Sequence, residues 1–271
     1  MVARFGAQRH RRLAAAVAGL ALALQAGAQD APAQAPFITT PPDVVARMLE
    51  LARAGPGDFV IDLGSGDGRI VIHAARAHGA RGLGVELDAE LVALARRRAR
   101  EAGVEQLAQF EAGDALRADL SRATVVTIYL LPFLLDQLRP RLLAQLRPGA
   151  RVVTHAFGMT GWTPDRSERV RLGARHEGQG DESRIFLFVI PADARGTWRA
   201  PQGWELRIQQ NFQQVDVELR RDGKALAVSE ARLDGAQLSV GGPGYAFRGR
   251  VAGAALAGEM NGASLAFERV R

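Results

Sequence analysis

The stretch VIDLGSGDGRI, residues 60–70, predicts the fold of most of this chain. The residues that lead into it, Phe59–Leu63, are apolar apart from Asp62, as is typical of a parallel strand buried on both faces. Three glycines at alternate positions follow, so the backbone can turn sharply and approach a ligand closely. A helix then begins near Arg69, and its first amides are expected to point toward that ligand. The pattern predicts a nucleotide-type site between a strand and a helix.

The composition is that of a globular protein. The chain has 271 residues, 47% of them hydrophobic, which is enough for one large domain or two smaller ones. It has no cysteine, so it offers neither a disulfide scaffold nor a cysteine metal site. His73 and His78 are the closest pair among five histidines, but their spacing is not the usual one for ligands on one helix face. We therefore expect no metal site.

The amino-terminal residues have the pattern of a secretory signal peptide. Four arginines precede an apolar run over residues 13–24, and Ala26-Gly27-Ala28 offers a small-residue cleavage site. Because twelve apolar residues are too few to span a bilayer, we expect residues 1–28 to be a cleaved signal peptide. The mature protein would then be periplasmic and would meet the membrane only during export. An uncleaved anchor and retention in the cytoplasm are the alternatives.

The predicted cleavage also changes the charge argument. Residues 1–28 hold four arginines and no acidic residue, so the formal net charge falls from +6 to +2 when they are removed. Such a small charge gives little support to nucleic-acid binding, and we expect no nucleic-acid partner. The sequence does not predict an oligomeric state.

A linker precedes the first predicted helix. Residues 29–37 are rich in Pro and Ala and show no periodicity. Structure is expected to begin at Thr40, with its side chain as the N-cap and Pro41 at the first helical position.

Strands and helices then alternate as far as residue 157. This alternation predicts a doubly wound, mostly parallel, seven-stranded sheet with helices on both faces, in a domain over residues 38–192. No helix lies between the last two predicted strands, over residues 170–172 and 183–190, so these two are expected to pair antiparallel at the sheet edge.

One predicted helix of this domain carries a cluster of arginines. Arg96, Arg97, Arg98 and Arg100 leave the face that packs on the sheet. The cluster indicates either a basic docking face or a solvated helix surface, and we favour the solvated surface.

Residues 197–271 have a different pattern, with short alternating segments separated by turn glycines. This spacing predicts a small antiparallel β sandwich or barrel, without a cluster of catalytic groups. The seven predicted strands cover residues 204–208, 215–219, 225–228, 237–240, 245–251, 255–259 and 264–268, with turns at Asp222-Gly223, Asp234-Gly235, Gly241-Gly242, Gly253 and Asn261-Gly262.

The glycine loop differs from the common phosphate-binding loops. A dinucleotide fold has G-x-G-x-x-G, whereas Arg69 stands here where the third glycine would be. The carboxylate of Asp62 would repel a phosphate, and no Gly-Lys-Ser/Thr of a P-loop follows. The loop is therefore suited to a ligand with a positive or zwitterionic part.

The segment DLGSGDG, residues 62–68, resembles the first motif of the class I S-adenosylmethionine-dependent methyltransferases, and the resemblance covers about residues 36–190. It implies S-adenosylmethionine as the cofactor, with the loop glycines under its methionine part and Asp62 near its amino group. Glu86, at the end of the second strand, would bind both ribose hydroxyls, which suits a carboxylate with two acceptors. Asp114, after the third strand, would contact the adenine amino group. The implied cofactor-binding residues are Asp62, Gly64, Ser65, Gly66, Gly68, Glu86, Asp114 and Ala115.

The segment Phe37–Pro42 and the run Asp67-Gly68-Arg69 are similar to a narrower group, the protein-lysine methyltransferases related to the mitochondrial and archaeal enzymes. This similarity implies methyl transfer to an amine, with a protein lysine as the acceptor. Many N-methyltransferases carry Asp/Asn-Pro-Pro-Tyr after the fourth strand, whereas this chain has Tyr129-Leu130-Leu131-Pro132.

We predict catalytic roles for two residues near this strand end. Tyr129 is expected to position the acceptor, and His155 is a secondary candidate whose alternative is a structural role. Trp162 is expected either to wall the pocket or to anchor a core. A small-molecule or lipid acceptor, or an inactive cofactor-binding protein of the cell envelope, are the alternative functions.

Overall fold

The structure is a computed structural model that describes residues 38–173 and 180–270. These residues belong to one compact unit, Phe37–Arg271. The predicted signal peptide and linker, residues 1–37, lie outside the described residues. Within the two described ranges, no helix is both long and apolar enough to cross a membrane.

The first part of the chain forms a seven-stranded sheet in the order β3-β2-β1-β4-β5-β7-β6. All its strands are parallel except β7, which pairs antiparallel with β5 and β6. The prediction of a doubly wound, mostly parallel sheet with an antiparallel pair at its edge is confirmed. The elements are α1 (Pro42–Leu51), β1 (Phe59–Leu63), α2 (Arg69–His78), β2 (Arg81–Glu86), α3 (Ala89–Glu101), β3 (Ala108–Ala112), β4 (Val125–Ile128), α4 (Pro132–Gln145), β5 (Arg151–His155), β6 (Arg166–Arg171) and β7 (Glu182–Val189).

Strand β1 shows how this sheet is buried. Successive side chains of a strand point to opposite faces. Ile61 and Leu63 pack in one core together with α4. Val60 packs in the other core together with α1 and α2. Because helices cover both faces, the strand is apolar almost throughout.

The prediction of how the first helix begins is wrong by one residue. Helix α1 starts at Pro42, and its N-cap is Pro41, which has no side-chain capping bond. The Thr40 hydroxyl lies 3.2 Å from the Nδ1 atom of His155 instead, so a tertiary contact takes the group that would have capped the helix. Asp88 does cap α3, because its carboxylate accepts from the amides of Glu90 and Leu91.

The second part of the chain forms one nine-stranded antiparallel sheet in the order β11-β10-β9-β8-β16-β15-β14-β13-β12. Its strands β10 and β12, from opposite halves of this order, come within 8 Å of each other, so the sheet curls around a core. The prediction of an all-β antiparallel module is confirmed. Its strands are β8 (Gly196–Ala200), β9 (Trp204–Asn211), β10 (Gln214–Arg221), β11 (Lys224–Leu226), β12 (Glu230–Asp234), β13 (Gln237–Gly242), β14 (Tyr245–Ala252), β15 (Ala255–Met260) and β16 (Ala263–Arg269).

Two of these strands were not predicted, and one predicted turn is wrong. Only Trp198 is buried in β8 and only Leu233 in β12, so neither strand shows a clear alternation in the sequence. Gly241 and Gly242 lie in β13 rather than in a turn, since the chain turns at Pro243-Gly244.

Trp162 joins the two parts of the chain. It is 2% exposed, and its ring stacks on that of Phe212 with 4.8 Å between centroids and 7° between planes. Its indole N–H donates to the Gln213 side chain at 2.9 Å. Trp162 is therefore a core anchor, the second of the two roles considered from the sequence. The domain limits at residues 192 and 197 stay predictions.

Candidate cofactor and acceptor site

The glycine loop is fastened to the end of strand β2. The amides of Gly64 and Ser65 donate to the Val85 carbonyl at 2.9 and 3.1 Å. Gly64, Gly66 and Gly68 all have positive φ angles, of 74°, 52° and 80°. Left-handed backbone is costly for other residues, so the three glycines are needed for this turn.

Gly68 is sterically more constrained than Gly64, where a Cβ atom would meet its nearest neighbour at 3.0 Å. A Cβ atom at position 68 would lie 2.6 Å from the Phe110 ring and 2.8 Å from the Ala95 methyl group. Phe110 and Ala95 are themselves buried. Glycine is therefore required at position 68 for two reasons. The φ angle is positive, and the loop packs too closely on β3 and α3 to leave room for a side chain.

Glu86 lies at the carboxyl end of β2 and helps to hold the loop. One of its carboxylate oxygens accepts from the Gly66 amide at 2.8 Å, and the other accepts from the Asp88 amide at 3.0 Å. Each oxygen has a second lone pair, so the carboxylate can still accept from two hydroxyl groups. This arrangement fits the predicted contact with a ribose diol, which stays a prediction.

Asp62 is a buried carboxyl group at the end of β1, only 2% exposed. Burial raises its pKa to about 7, and the charges of Glu86 and Asp67 act in the same direction, while a hydrogen bond from the Thr127 hydroxyl opposes them. That hydroxyl lies 2.7 Å from Asp62 Oδ1. A buried carboxyl group of this kind gains most from a cationic partner, which fits the predicted place of the cofactor's amino group.

Thr127 is a site residue that the sequence prediction missed. It lies directly opposite Asp62 in the parallel pairing of β1 and β4. Nothing in the spacing of the motifs indicates this register, because it depends on how two strands 65 residues apart are aligned. The one available signal is that Thr127 is a polar residue inside an apolar strand.

Asp67 and Arg69 fasten the loop to the segment before α1. Arg69 makes two hydrogen bonds to the Asp67 carboxylate, at 2.9 and 2.6 Å, and also donates to the Thr40 carbonyl at 2.9 Å. Arg98 of α3 makes a further ion pair with Asp67. Burial alone would raise the pKa of Asp67, but the hydrogen bonds and charges of the two arginines outweigh it, so the pKa is lowered. We call this arrangement the Asp67–Arg69–Thr40 clamp.

Asp114 and its neighbours follow β3 at the same edge of the sheet. The Gly113 amide donates to the Glu86 carbonyl at 2.8 Å, which brings the ends of β2 and β3 together. The side chain of Asp114 is 43% exposed, and one of its oxygens accepts from the Leu116 amide at 2.8 Å. Ala115 is half-buried against the core. The carboxylate of Asp114 is thus accessible for the predicted contact with an adenine amino group.

Ser65 shows an unused hydrogen-bonding group within the loop. Its side chain is buried, and the Oγ atom has no hydrogen-bond partner among the described residues. Buried hydroxyl groups in proteins are normally satisfied, so an unsatisfied one in a binding loop is compatible with a bound ligand. The cofactor-binding role of Ser65 stays a prediction.

Tyr129 and His155, the two predicted catalytic residues, are in contact. Their ring centroids lie 4.0 Å apart with 43° between the planes. His155 is fully buried, and its Nδ1 and Nε2 atoms lie 3.2 and 2.6 Å from the hydroxyl oxygens of Thr40 and Ser183. Both ring nitrogens are therefore engaged, which favours the structural role for His155. Its catalytic role stays a prediction. Thr40 and Ser183 were not predicted as its partners, because they come from segments distant in the sequence.

Exposed apolar side chains follow the carboxyl ends of several strands. Leu87 follows β2, Leu131 and Phe133 follow β4, and Phe157 follows β5. Phe133 is 56% exposed and Leu87 is 59% exposed. This edge of the sheet therefore offers apolar contact area, and Leu131 and Phe133 lie close in sequence to Tyr129.

Three of the four arginines considered as a docking face are engaged within the fold. Arg96 donates to the Phe110 carbonyl, and Arg98 pairs with Asp67. Arg97 pairs with Glu101 on the same helix. These contacts favour the interpretation of the cluster as a solvated helix surface over a docking face.

The hydrogen-bond acceptors of the site correspond to the hydrogen-bond donors of S-adenosylmethionine. Carboxyl groups stand at the ends of three adjacent strands, where Asp62 could face an ammonium group, Glu86 a diol and Asp114 an aromatic amine. The glycine loop between them brings backbone close to the ligand without Cβ atoms. The residues present therefore fit this cofactor.

Comparisons with known proteins agree with this geometry. The model of the family described as ANTKMT methyltransferase domain matches residues 62–166. A protein-lysine N-methyltransferase of Saccharolobus islandicus (strain REY15A) is 38% identical over 156 residues, which are 57% of this chain and 93% of the relative. The adenine nucleotide translocase lysine N-methyltransferase of Mus musculus is 38% identical over 146 residues, 53% of this chain and 63% of that protein. The chain thus spans nearly all of the first relative and less than two thirds of the second.

A solved structure is also similar. It is an RNA methyltransferase from Salinibacter ruber in complex with S-adenosyl-L-homocysteine, with a TM-score of 0.52 and 51% sequence identity. The match covers 58% of this chain and 95% of that one.

Proposed function

Because this chain belongs to the class I S-adenosylmethionine-dependent protein-lysine methyltransferases, we propose that it transfers a methyl group from this cofactor to the side-chain amine of a lysine in a protein. The observation that carries the proposal is the set of carboxyl groups on Asp62, Glu86 and Asp114 around the glycine loop. This set occurs in a chain 38% identical to a protein-lysine N-methyltransferase over 93% of that relative's length.

The residues near Tyr129 fit the needs of an amine acceptor. S-adenosylmethionine supplies an electrophilic methyl group on a sulfonium sulfur. A lysine can attack only as the neutral amine, and its ordinary pKa of about 10.4 leaves it mostly protonated at neutral pH. Contact with the apolar side chains of Leu131, Phe133 and Phe157 would favour the neutral form by desolvation.

We assign the orientation of the amine to Tyr129. Its hydroxyl can accept a hydrogen bond from the acceptor nitrogen and so direct the nitrogen lone pair at the methyl carbon. The buried ring of His155 packs against Tyr129 and limits its movement. Asp62, Glu86, Asp114 and the glycine loop would hold the cofactor, which would supply the methyl group and leave as S-adenosylhomocysteine, and the proton of the methylated amine would go to water. No dedicated base is required.

The experiment that tests this proposal follows a labelled methyl group. The protein is incubated with S-adenosylmethionine carrying a tritiated methyl group and with total cell protein, and the acceptors are analysed for methyl-lysine by mass spectrometry. We expect methyl-lysine with the unmodified chain and a loss of activity of about tenfold or more, with a raised KM for the cofactor, with Glu86→Gln. Glu111→Gln removes an exposed carboxylate from β3 and should change neither value.

A second variant separates acceptor positioning from cofactor binding. Tyr129→Phe should lower kcat by about tenfold and leave the Kd of the cofactor unchanged, because it removes one hydrogen bond to the acceptor only. Cofactor binding without any methyl-lysine in the protein fraction would reject a protein acceptor.

A second candidate acceptor is RNA, since the Salinibacter ruber structure is described as an RNA methyltransferase and is 51% identical. The same labelled cofactor distinguishes the two, because total RNA replaces total protein in a parallel reaction. Label in RNA that falls about tenfold with Tyr129→Phe, without label in protein, would favour this second candidate.

We further propose that the protein is exported to the periplasm and that its methyltransferase and β domains divide near residues 192–197. Support for export comes from the basic and apolar pattern of residues 1–28. Amino-terminal sequencing of the natural protein tests it, and a first residue near position 29 is the expected result. Recovery of the protein only from the cytoplasm with residues 1–28 attached would contradict export.

A further inference from the structure

A groove lined by arginines lies at the opposite edge of the large sheet from the cofactor site. It consists of two clefts, of about 590 and 510 Å³, that share Pro148, Gly149 and Arg151 as lining residues. These residues lie at the amino end of β5, whereas the cofactor site lies at the carboxyl ends of the strands. We call the two clefts together the amino-edge groove.

Both parts of the chain build this groove. The larger cleft is lined by residues of the methyltransferase sheet and by Arg232 and Arg250 from β12 and β14. The two parts are held together here, since the Ala192 amide donates to the Gly235 carbonyl at 2.8 Å. The β domain therefore forms one wall of a cleft that the methyltransferase domain alone would not have.

The groove has an excess of positive charge. Eight arginines line it, against two acidic residues, Asp165 and Asp234, which lie only in the larger cleft. Arg151, Arg166 and Arg232 have carboxylate partners. Among the described residues, no carboxylate forms an ion pair with the other five, which are Arg53, Arg81, Arg122, Arg147 and Arg250. The exposed carboxylate of Asp119 interacts with the charge of Arg122 without such contact.

Two guanidinium groups in the smaller cleft are already held in place. Arg151 donates to the Ala52 carbonyl at 3.0 Å and to Asp58 at 2.8 Å. The guanidinium of Arg122 lies over the Phe59 ring, 4.5 Å from its centroid. A stacked guanidinium keeps its N–H edges available, and little side-chain entropy is lost when it binds.

We propose that the amino-edge groove binds a small anion that carries two or more phosphate groups. Arginine forks match phosphate oxygens in pairs, and several of them around a concave cleft favour a multiply charged ligand over a single carboxylate. Each cleft has the volume of a small-molecule site. The aromatic ring that lines the smaller cleft, Phe59, is covered by Arg122. Among the described lining residues, the groove therefore has no exposed ring on which the bases of single-stranded RNA could stack.

Calorimetry of the full chain with inorganic tripolyphosphate tests this inference. We expect saturable binding that weakens with added salt. The double variant Arg122→Ala and Arg147→Ala should weaken it by about tenfold or more, and Arg122→Lys should weaken it less, since it keeps the charge and loses the fork. Thermal unfolding of each variant establishes that it is folded.

A matched pair on β14 controls for the general basic character of the surface. Arg248 and Arg250 are both exposed and lie two residues apart, but only Arg250 lines the groove. Arg250→Ala should weaken tripolyphosphate binding, and Arg248→Ala should leave it within about twofold. Equal effects of the two variants, or no binding by the unmodified chain, would overturn the proposal.

The source of the phosphate is distinguished by two further probes. If both tripolyphosphate and vesicles of cardiolipin, whose headgroup carries two phosphates, bind and the double variant weakens both, the site is assigned to lipid headgroups. Binding of tripolyphosphate without binding of the vesicles would assign it to a soluble ligand. Binding to an RNA oligonucleotide that the double variant weakens, without binding to tripolyphosphate, would reject a small anion as the ligand. These outcomes do not depend on methyl transfer, so they stand apart from the proposed activity.

Discussion

The raised pKa of Asp62 links its burial to pH. The pKa of this carboxyl group is about 7 in the folded protein and 3.8 ordinarily. At a pH between these two values, the group is protonated in the folded protein and ionised in the unfolded chain. The folded state therefore loses stability as the pH rises from about 4 to 7, and the loss is complete above 7. The cofactor's ammonium group pairs with the ionised form, so its binding should release this proton.

We accordingly predict that the affinity for S-adenosylmethionine rises as the pH is raised from about 5.5 to 7.5, as measured by calorimetry. Asp62→Asn should bind more weakly and lose this pH dependence. Thr127→Val removes the hydrogen bond that opposes the pKa rise, so it should move the midpoint to higher pH. An unchanged slope in the Asn variant would mean that another group causes the dependence.

Arg69 should contribute more to stability than a surface arginine does. Its side chain is 29% exposed and joins Asp67, itself almost fully buried, to the Thr40 carbonyl. Arg69→Gln should destabilise the fold by roughly 2–4 kcal/mol in urea unfolding, with partial rescue by Arg69→Lys. Arg97→Gln breaks an exposed pair with Glu101 and should cost less than about 0.5 kcal/mol. Similar losses in the two variants would contradict the importance of the clamp.

At the scale of elements, the turn from β1 to α2 is expected to tolerate substitution least. Gly68→Ala meets both an unfavourable φ of 80° and the buried Phe110 ring. We expect it to cost roughly 2–4 kcal/mol and to weaken cofactor binding. Gly103→Ala is the matched control, since its φ is 66° but a Cβ atom there would meet nothing within 4 Å. It should cost only about 1–2 kcal/mol, and an equal cost at both positions would show that sterics at Gly68 do not matter.

The elements differ in how far the sequence could predict them. The bounds predicted for β1 and the start predicted for α2 match the structure, because a buried parallel strand and a glycine loop leave strong local patterns. Asp62 and Glu86 were also predictable in position, since each lies at the end of a mainly apolar run, whereas Asp114 follows a strand with two polar residues and was placed by the resemblance alone. Thr127, Thr40 and Ser183 were not, because their roles come from strand register and from contacts between distant segments. Strand β12 was not predicted, because three of its five residues are charged and only one, Leu233, is buried, so the sequence shows no apolar alternation there.

At the scale of the whole molecule, the contact between the two sheets decides whether they unfold together. Trp162 extends from the loop after β5 and contacts the rings of both Phe188 and Phe212. Gln213 adds two hydrogen bonds, one from the indole N–H and one to the Thr163 carbonyl. The described residues lie in one compact unit, so cooperative unfolding is expected despite the two separate sheets.

We therefore predict a single transition for the unmodified protein in differential scanning calorimetry. Trp162→Ala should remove roughly 3–5 kcal/mol and separate the transition into two, because it leaves a cavity at the junction. Trp162→Phe keeps the ring but loses the bond to Gln213, so it should have an intermediate effect. Trp204→Phe alters a buried tryptophan inside the β domain alone, and it should lower the transition temperature without splitting it. Two transitions in the unmodified protein would mean that the domains are stable independently, and the shared wall of the amino-edge groove would then depend on a weak contact.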